Sequence, residues 1–413
     1  MSLYLGCFDS GTSQSEIDSY KSKLVELSGV SSGQLICDAG VRRLIEASEE
    51  SLTVAELQQF LLDAGFYPQA KVDAIFGYRT HSATRLFQEY VRHYENHSNC
   101  LPDGIVGPLT RSHIVRWLEN NISANWSATL SDWQEGRLAV ENSYSRWLEF
   151  LTTVKSHYCK NSSPQTDLVN SFTGKTDTLK PIHWDYEQNR IHLIGIRRKD
   201  QDPKRKFDDI FVLLLRGLVF KFQGSTDPGS SSHEDGAPFL VTGQHRYRFG
   251  LHRRSYHALR PFHFDKANHG VLVVRSKGDY KLSEADIKRG VSANTTINIH
   301  WGGKGVGRAV NRWSEGCQVL AGSGYEDFQG ELVNCSSYVA INNSKIKETG
   351  GSKTRGAYNV LGDLITAFGS GLPTEEWVYF TLIDENDCSL HDSISAEVNQ
   401  SLKNARQFMT KLA

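Results

Sequence analysis

His300 and Cys317 are the residues whose types and spacing best fit catalysis, with the cysteine seventeen positions after the histidine. A thiol becomes a strong nucleophile when a nearby imidazole takes its proton or stabilises the thiolate. Gly316 directly precedes the cysteine and lets consecutive backbone N–H groups converge on one point, as an oxyanion hole requires. The pattern predicts cysteine acyl transfer, with Cys317 as nucleophile, His300 as base, and the N–H groups of Gly316 and Cys317 as oxyanion donors.

The remaining cysteines carry no comparable pattern. The chain has seven cysteines, an odd number, without a CxxC pair. This spacing favours neither a disulfide framework nor a zinc ribbon, and it is typical of a chain made in a reducing compartment. We expect six of the seven to act as small apolar residues, and no metal or cofactor is expected.

A run of closely spaced histidines supports an alternative function, that of a zinc-dependent hydrolase. Five histidines fall within 25 residues: His245, His252, His257, His263 and His269. The chain has no HExxH motif, and the spacings match no zinc-peptidase pattern. Stoichiometric zinc in the purified protein would favour this alternative over a cysteine enzyme.

Composition excludes several function classes. Among 413 residues, 46 Lys and Arg balance 47 Asp and Glu, giving a net charge of −1 and no general field that attracts nucleic acid. The longest apolar run, Ile210–Leu215, is too short to insert into a membrane. No Walker or GxGxxG loop opens a helix, which disfavours nucleotide enzymes.

The C-terminal half has the two-residue periodicity of strands. Strands are predicted at 210–215, 218–222, 246–249, 271–275, 296–300 and 377–383, separated by Gly-rich turns. No helices of ten to fifteen residues alternate with them, so a doubly wound sheet is not expected. The sequence predicts an α+β multidomain protein with a β-rich domain over 181–386, an insertion within it at 344–373 and a C-terminal helix over 387–413.

The N-terminal half contains a thirty-residue repeat. DAIFGYRT (73–80) and DGIVGPLT (103–110) share Asp, Ile, Gly and Thr at equal offsets, each predicting a tight turn followed by a Thr-capped helix. A capping box formed by Thr53 and Glu56 predicts an earlier helix from Val54. With the phrase ELQQFLLDAGFYP, residues 49–121 resemble the type 1 peptidoglycan-binding domain, a small three-helix module. The resemblance implies that the module binds peptidoglycan.

Between these regions we expect a helical connector and linker over 122–180. Apolar residues at helical spacing, including Val140, Trp147 and Tyr158, predict one long helix over 126–158. The Ser/Thr/Asn-rich stretch at 160–175 predicts a linker. Residues 1–48 give no functional signal.

Around His300 and WSEGCQV (313–319), the chain resembles the catalytic domain of the L,D-transpeptidase family, the YkuD-like proteins. The match runs through His300, Ser314, Gly316 and Cys317, and it fits a divergent branch with the phrase Trp-Ser-x-Gly-Cys-Gln-Val. The resemblance covers about 185–385, where GSTDPG (224–229) and 236–261 look like substrate-facing segments. Two positions depart from the usual family pattern: Glu315 replaces a histidine and Val319 an arginine.

The resemblance implies attack by Cys317 on the L,D bond after the third residue of a peptidoglycan stem peptide. A thioester acyl-enzyme would pass its acyl group to an amine, giving a 3→3 cross-link or D-amino-acid exchange, or to water, as an L,D-carboxypeptidase or endopeptidase. Expected substrate-binding residues are His252, Tyr256, Gly302, Trp313, Ser314, Glu315 and Gln318. The departures at 315 and 319 leave a second alternative, a non-catalytic wall-binding protein.

The N-terminus has no basic start and no sustained apolar stretch, which predicts a chain made in the cytoplasm without a signal peptide. The implied substrate lies in the periplasm or cell wall. Delivery as an antibacterial effector, with a secretion apparatus and an immunity protein as partners, would reconcile the two. Release as a lysin is the other route.

Overall fold

The computed structural model shows an α+β protein, which confirms the predicted fold class. It describes residues 2–20, 45–46, 52–68, 71–198, 206–229, 234–253, 256–277, 282–303, 309–339, 354–369 and 377–412. The chain divides into two compact units. Unit 1 comprises residues 1–136, 249–257 and 334–376, and unit 2 comprises 137–248, 258–333 and 377–413. In the described ranges, no helix has the length and apolarity needed to cross a membrane.

The helices and strands alternate irregularly along the chain. The helices are α1 Val54–Asp63, α2 Tyr78–Tyr94, α3 Pro108–Glu119, α4 Ser127–Gln134, α5 Ser143–Lys160, α6 Pro164–Ser171, α7 Glu284–Lys288, α8 Ala357–Phe368 and α9 Asp392–Leu412. The strands are β1 Cys7–Phe8, β2 Ile45–Glu46, β3 Thr178–Leu179, β4 Ile191–Arg197, β5 Asp209–Leu215, β6 Leu218–Ser225, β7 Ala237–Leu240, β8 Gly243–His252, β9 Tyr256–Pro261, β10 Val271–Ser276, β11 Ser292–Asn294, β12 Ile299–Trp301, β13 Gln318–Glu326, β14 Leu332–Asn334 and β15 Val378–Asp384. Short 3₁₀ helices lie at Pro181–His183, Asn311–Trp313 and Glu385–Leu390.

A closed mixed sheet organises unit 2. The described residues give it ten strands. Eight of them close a ring in the order β12-β9-β8-β15-β4-β5-β6-β13, where β13 pairs again with β12, and β14 and β3 lie beside β13 and β8. Most neighbours are antiparallel, but β12–β13 and β4–β15 are parallel. Every residue of β4 and β5 is buried, as expected for strands with apolar surroundings on both faces. The parallel β12–β13 pair matters most for function, because His300 lies on one strand and Cys317 immediately precedes the other.

In each half of the repeat in unit 1, the turn is held by a glutamine that lies outside the repeated phrase. The amide nitrogen of Gln58 donates to Asp73 Oδ1 at 2.8 Å, the Ile75 carbonyl at 2.9 Å and Thr80 Oγ1 at 3.0 Å. Thirty residues later, Gln88 makes the same three contacts with Asp103, Ile105 and Thr110. Each buried amide ties its own helix to the turn and to the start of the next helix. The repeated phrase therefore specifies a turn that is held by a side chain from the preceding helix. The predicted threonine caps were wrong: Gly77 and Gly107 are the caps, and the threonines lie inside the first turn, where they accept from the glutamines.

The connector differs from the expected single helix. Helix α4 ends at Gln134, followed by Gly136 with φ +68°, and α5 begins at Ser143 with the Asn142 side chain accepting a hydrogen bond from Tyr144 N. Val140, placed on the predicted apolar stripe, is 76% exposed. The prediction of one helix over 126–158 was wrong because a glycine stop and an asparagine cap interrupt the periodicity.

Two other local predictions need correction. The expected linker at 160–175 contains helix α6, because Ser163 and Thr166 form a reciprocal cap around Pro164. The strand expected over 296–300 is shorter and shifted, at Ile299–Trp301. Within the proposed 344–373 insertion, the described part contains α8, which packs on α2 inside unit 1. Residues 344–353 and 370–373 of the insertion lie outside the described residues.

Candidate active site

The parallel pairing of β12 and β13 brings the predicted base and nucleophile together. Ile299 pairs with Gln318 and His300 with Val319. Cys317, the residue before β13, therefore lies near the start of β12. A ring nitrogen of His300 and the sulfur of Cys317 lie within 4.8 Å of each other. Two residues that are seventeen positions apart in the sequence thus lie close enough for proton transfer after a small adjustment.

A backbone carbonyl orients the imidazole of His300. Its Nδ1 lies 2.9 Å from the carbonyl oxygen of Trp301, and the residue is 2% exposed. A carbonyl only accepts hydrogen bonds, so Nδ1 carries the proton in the neutral ring and Nε2 is the basic nitrogen. The Trp301 carbonyl therefore takes the orienting role that a carboxylate has in many catalytic triads.

The thiol of Cys317 is partly exposed and has two backbone neighbours. The Asn298 N–H donates to Sγ at 3.4 Å, and the thiol donates to the Thr296 carbonyl at 3.4 Å. The sulfur thus lies between one backbone donor and one backbone acceptor. Two other thiols are buried more deeply, and burial raises the pKa of Cys100 and Cys388 to about 12, which keeps both protonated.

The turn before the nucleophile is closed by Ser314. Its hydroxyl donates to the Cys317 carbonyl at 2.6 Å and accepts from the Gly316 N–H at 3.1 Å. The expected role of the Gly316 N–H as an oxyanion donor is therefore not seen here, because that group is directed to Ser314. Gly316 has φ +155°, and a Cβ there would lie 2.5 Å from Pro238 Cγ. Glycine at this position allows the turn to form against Pro238.

The other residues expected to bind substrate fall into two groups. Trp313 is 42% exposed, its ring 5.2 Å from that of Trp301, and Glu315 is half-buried, so both side chains reach the surface near the turn. Gln318 is fully buried, with its amide nitrogen 3.4 Å from the Gly316 carbonyl. A Cβ on Gly302 would lie 2.7 Å from Phe207. Ser314, Gln318 and Gly302 thus lie in the buried layer that supports the site.

The GSTDPG segment has a supporting position, contrary to the expectation that it faces the substrate. Thr226 is fully buried, and its N–H and hydroxyl donate to Asp209 Oδ2 at 2.6 and 2.8 Å. Asp227 forms an ion pair with Arg197 at 2.9 Å. The Gly229 N–H then donates to the Ser314 carbonyl at 2.9 Å. Through this bond the segment anchors the turn that carries Cys317.

Sequence reasoning missed two residues whose charges interact with Cys317. Tyr247 is fully buried, and burial raises its pKa well above the usual value, with a further increase from the charges of Cys317 and Asp177. Burial lowers the pKa of Arg260 to about 10, and the charge of Cys317 opposes that change. The alternation of arginines and aromatics in 246–249 was the only sequence signal near Tyr247.

His252 and Tyr256, both expected to hold substrate, belong to unit 1. Their ring centroids lie 5.2 Å apart at the adjoining ends of β8 and β9. His257, also in unit 1, is buried, which lowers its pKa to about 4. In unit 2, His245 is fully buried with Nδ1 near Thr178 Oγ1 and Nε2 near the Val241 carbonyl. Within unit 2, His245 is thus bonded to Thr178 and Val241, whereas His263 and His269 pack against each other.

Comparisons with known proteins give no relative. No family model, no curated protein and no solved structure matches the chain.

Proposed function

We propose that this protein is a cysteine acyltransferase of the L,D-transpeptidase type that acts on peptidoglycan stem peptides. The observation that carries the proposal is the arrangement of His300 and Cys317 across a parallel strand pair, within 4.8 Å. The Trp301 carbonyl supports it by leaving Nε2 of His300 as the base. The substrate class comes from the resemblance of WSEGCQV and of the N-terminal repeat to wall-active proteins.

In the first half-reaction, His300 takes the thiol proton, and Sγ attacks the carbonyl carbon of the third stem residue. We assign the oxyanion to the N–H of Cys317, because the Gly316 N–H is directed to Ser314. The C–N bond then breaks, and His300 returns its proton to the departing D-amino acid. The product is a thioester between Cys317 and the stem tripeptide.

In the second half-reaction, an amine or water attacks the thioester and Sγ leaves as the thiolate. The proton of the attacking group passes to His300, which restores the starting state. An amine acceptor gives a 3→3 cross-link or D-amino-acid exchange, and water gives L,D-carboxypeptidase or endopeptidase activity. Glu315, at the position where the family usually has histidine, lies beside the turn and is suited to influence which acceptor enters.

Arg260 is the residue we assign to the terminal carboxylate of the substrate. It interacts electrostatically with Cys317, and its neighbour Leu259 pairs with Ile299, next to His300. Its guanidinium lies 4.1 Å from the centre of the Phe264 ring. Arg248 stacks on the same ring at 4.8 Å and binds Asp265 at 3.2 Å, so two guanidinium groups lie against this ring. Guanidinium groups are suited to binding a substrate carboxylate.

The N-terminal region over 49–121 is proposed to bind peptidoglycan as a three-helix module. Support comes from the matching Gln58 and Gln88 networks, which give the two halves of the repeat the same turn geometry. We propose that the protein reaches this substrate as an antibacterial effector delivered by a secretion apparatus, or as a lysin.

Defined muropeptides with tetrapeptide stems test the proposal. After incubation with the protein, mass spectrometry should show tripeptide stems together with a free D-amino acid, and Cys317→Ala should abolish both. His300→Gln should reduce the rate by about two to four orders of magnitude, the usual contribution of a general base. New dimers would indicate cross-linking, whereas tripeptides without dimers would indicate hydrolysis. Equal trimming by Cys317→Ala would contradict the proposal, and so would unchanged substrate with folded wild-type protein.

A further inference from the structure

Asp177, His263 and His269 form a second cluster of titratable side chains in unit 2. We propose that this cluster binds one divalent transition-metal ion of the Zn²⁺ type. The proposal does not depend on the acyl-transfer function, because it rests on other side chains and on a binding measurement. It gives zinc a place apart from Cys317, so bound zinc alone would no longer favour a zinc hydrolase over a cysteine enzyme, and the muropeptide assay of Cys317→Ala decides between them.

The three potential ligand atoms converge on a small volume. His263 Nδ1 lies 2.7 Å from Asp177 Oδ1, and His269 Nε2 lies 3.6 Å from the same oxygen. All three ligand atoms lie within 4.8 Å of one another, and the two imidazole rings are 4.0 Å apart. Ligands about 2 Å from a tetrahedral zinc are separated by roughly 3.3 Å. An ion therefore fits after shifts smaller than an ångström or so.

The chemistry of the set suits a borderline metal ion. Two imidazole nitrogens and one carboxylate oxygen are common ligands of Zn²⁺ and of neighbouring first-row ions, whereas Mg²⁺ and Ca²⁺ prefer oxygen ligands throughout. Three protein ligands leave a fourth position for water or an external ligand.

The backbone holds the ligands in place. The His263 N–H donates to Asp177 Oδ2 at 2.9 Å, which turns Oδ1 towards the two imidazoles. The Asp177 N–H donates to the Gly270 carbonyl at 2.7 Å, so the strand-entry segment and the 262–270 turn are tied together at both ends. The Asp177 side chain is fully buried, while those of His263 and His269 are 22% and 12% exposed. An ion can thus enter from solvent past the histidines and reach a fixed carboxylate.

Arg246 provides an internal test of this assignment. Its guanidinium lies 3.6 Å from Asp177 Oδ1 and 4.9 Å from the centre of the Trp377 ring. A positive charge at this distance opposes the entry of a cation. Replacing Arg246 with glutamine should therefore strengthen metal binding. If the only role of the cluster were to pair Asp177 with positively charged side chains, the same substitution would weaken the cluster.

Isothermal titration of the full chain with Zn²⁺, in a Cys317→Ala background that removes the reactive thiol, tests the proposal. Paired His263→Ala and His269→Ala substitutions should remove one equivalent of bound zinc or weaken it by at least about tenfold. Arg246→Gln should tighten the same equivalent severalfold. His183→Ala, an exposed histidine of unit 2, is the matched control and should leave the titration unchanged.

Unchanged zinc binding in the paired histidine variant, with circular dichroism showing that it is folded, would overturn the proposal. Absence of any zinc binding by the parent chain would overturn it as well. Weaker zinc binding by Arg246→Gln would also contradict it, because the guanidinium would then be supporting the site. Each of these results leaves the muropeptide assay of Cys317 unaffected, so failure of the metal site and failure of the acyl-transfer function can be told apart.

Discussion

The backbone N–H of Asn298 points at the sulfur of Cys317 across 3.4 Å, because β12 and β13 run side by side in parallel. The same pairing places His300 one strand away from Cys317, the proposed nucleophile. The geometry of the candidate site thus depends on how the turn before β13 is held, and the first two predictions test that turn.

Ser314→Ala should slow turnover by about ten- to a hundredfold, because its hydroxyl bridges the Cys317 carbonyl and the Gly316 N–H. Substrate binding should change little, so kcat should fall more than KM rises. Steady-state kinetics on tetrapeptide muropeptides measure this. Ser323→Ala, on the same strand β13, is the matched control. An unchanged kcat in Ser314→Ala would show that the turn needs no such bridge.

Gly316→Ala should both unfold more easily and lose activity. The added Cβ would lie 2.5 Å from Pro238 Cγ and 2.9 Å from its carbonyl oxygen. Relief of such a clash costs about 1–3 kcal/mol. Gly362→Ala, within helix α8 and with open space around its Cβ, should instead stabilise unit 1 by about 0.5–1 kcal/mol. Urea unfolding of both variants measures the contrast, and equal stabilities would contradict the steric account.

The repeat in unit 1 should be sensitive to its two buried glutamines. Gln58→Ala or Gln88→Ala leaves the donors and acceptors of one turn unsatisfied, at a cost of about 1–3 kcal/mol each. Gln59→Ala is a close control, since this exposed neighbour contacts only Asp63 in its own helix among the described residues. Thermal unfolding should separate Gln58 from Gln59. Similar effects at both positions would contradict the assigned role.

Asp209 should make stability depend on pH. Burial, followed by repulsion from Asp227, raises the pKa of Asp209 from 3.8 to about 7. Between these values the folded state holds a proton that the unfolded state has released, so the free energy of unfolding falls as pH rises from about 4 to about 7. Urea unfolding at pH 5 and pH 8 should show a larger loss for wild type than for Asp209→Asn.

Asp235→Asn, at an exposed carboxylate, controls for the general loss of charge. It should keep the pH dependence of the wild type. If Asp209→Asn keeps that dependence too, the proton is held elsewhere.

The sequence predicted the α+β class because buried β-branched and aromatic runs, such as those of β5 and β6, have an unambiguous period. It also brought His300 and Cys317 to notice, since both residue types are chemically distinctive and glycines surround them. It could not predict the β12–β13 pairing or the closure of the sheet, which depend on contacts between distant segments. Tyr247 and Arg260 were missed for the same reason.

The remaining errors concern local structure, and capping residues explain the one in the connector. The connector breaks at Gly136 and Asn142, although apolar spacing continues through Val140. The buried position of Thr226 and Asp227 could not be read from GSTDPG, whose composition is typical of an exposed turn. Gln58 and Gln88 could have been found, because they share the thirty-residue offset of the repeated phrase.

The most direct test of acyl transfer is the mass of the intact protein after rapid mixing with a disaccharide tetrapeptide and acid quenching. We predict that the wild-type chain gains the mass of the disaccharide tripeptide acyl group, that peptide mapping places it on Cys317, and that hydroxylamine removes it as expected for a thioester. The Cys317→Ala chain should gain no mass. A wild-type chain that converts the substrate without any adduct on Cys317, while Cys317→Ala converts it equally well, would contradict the central claim.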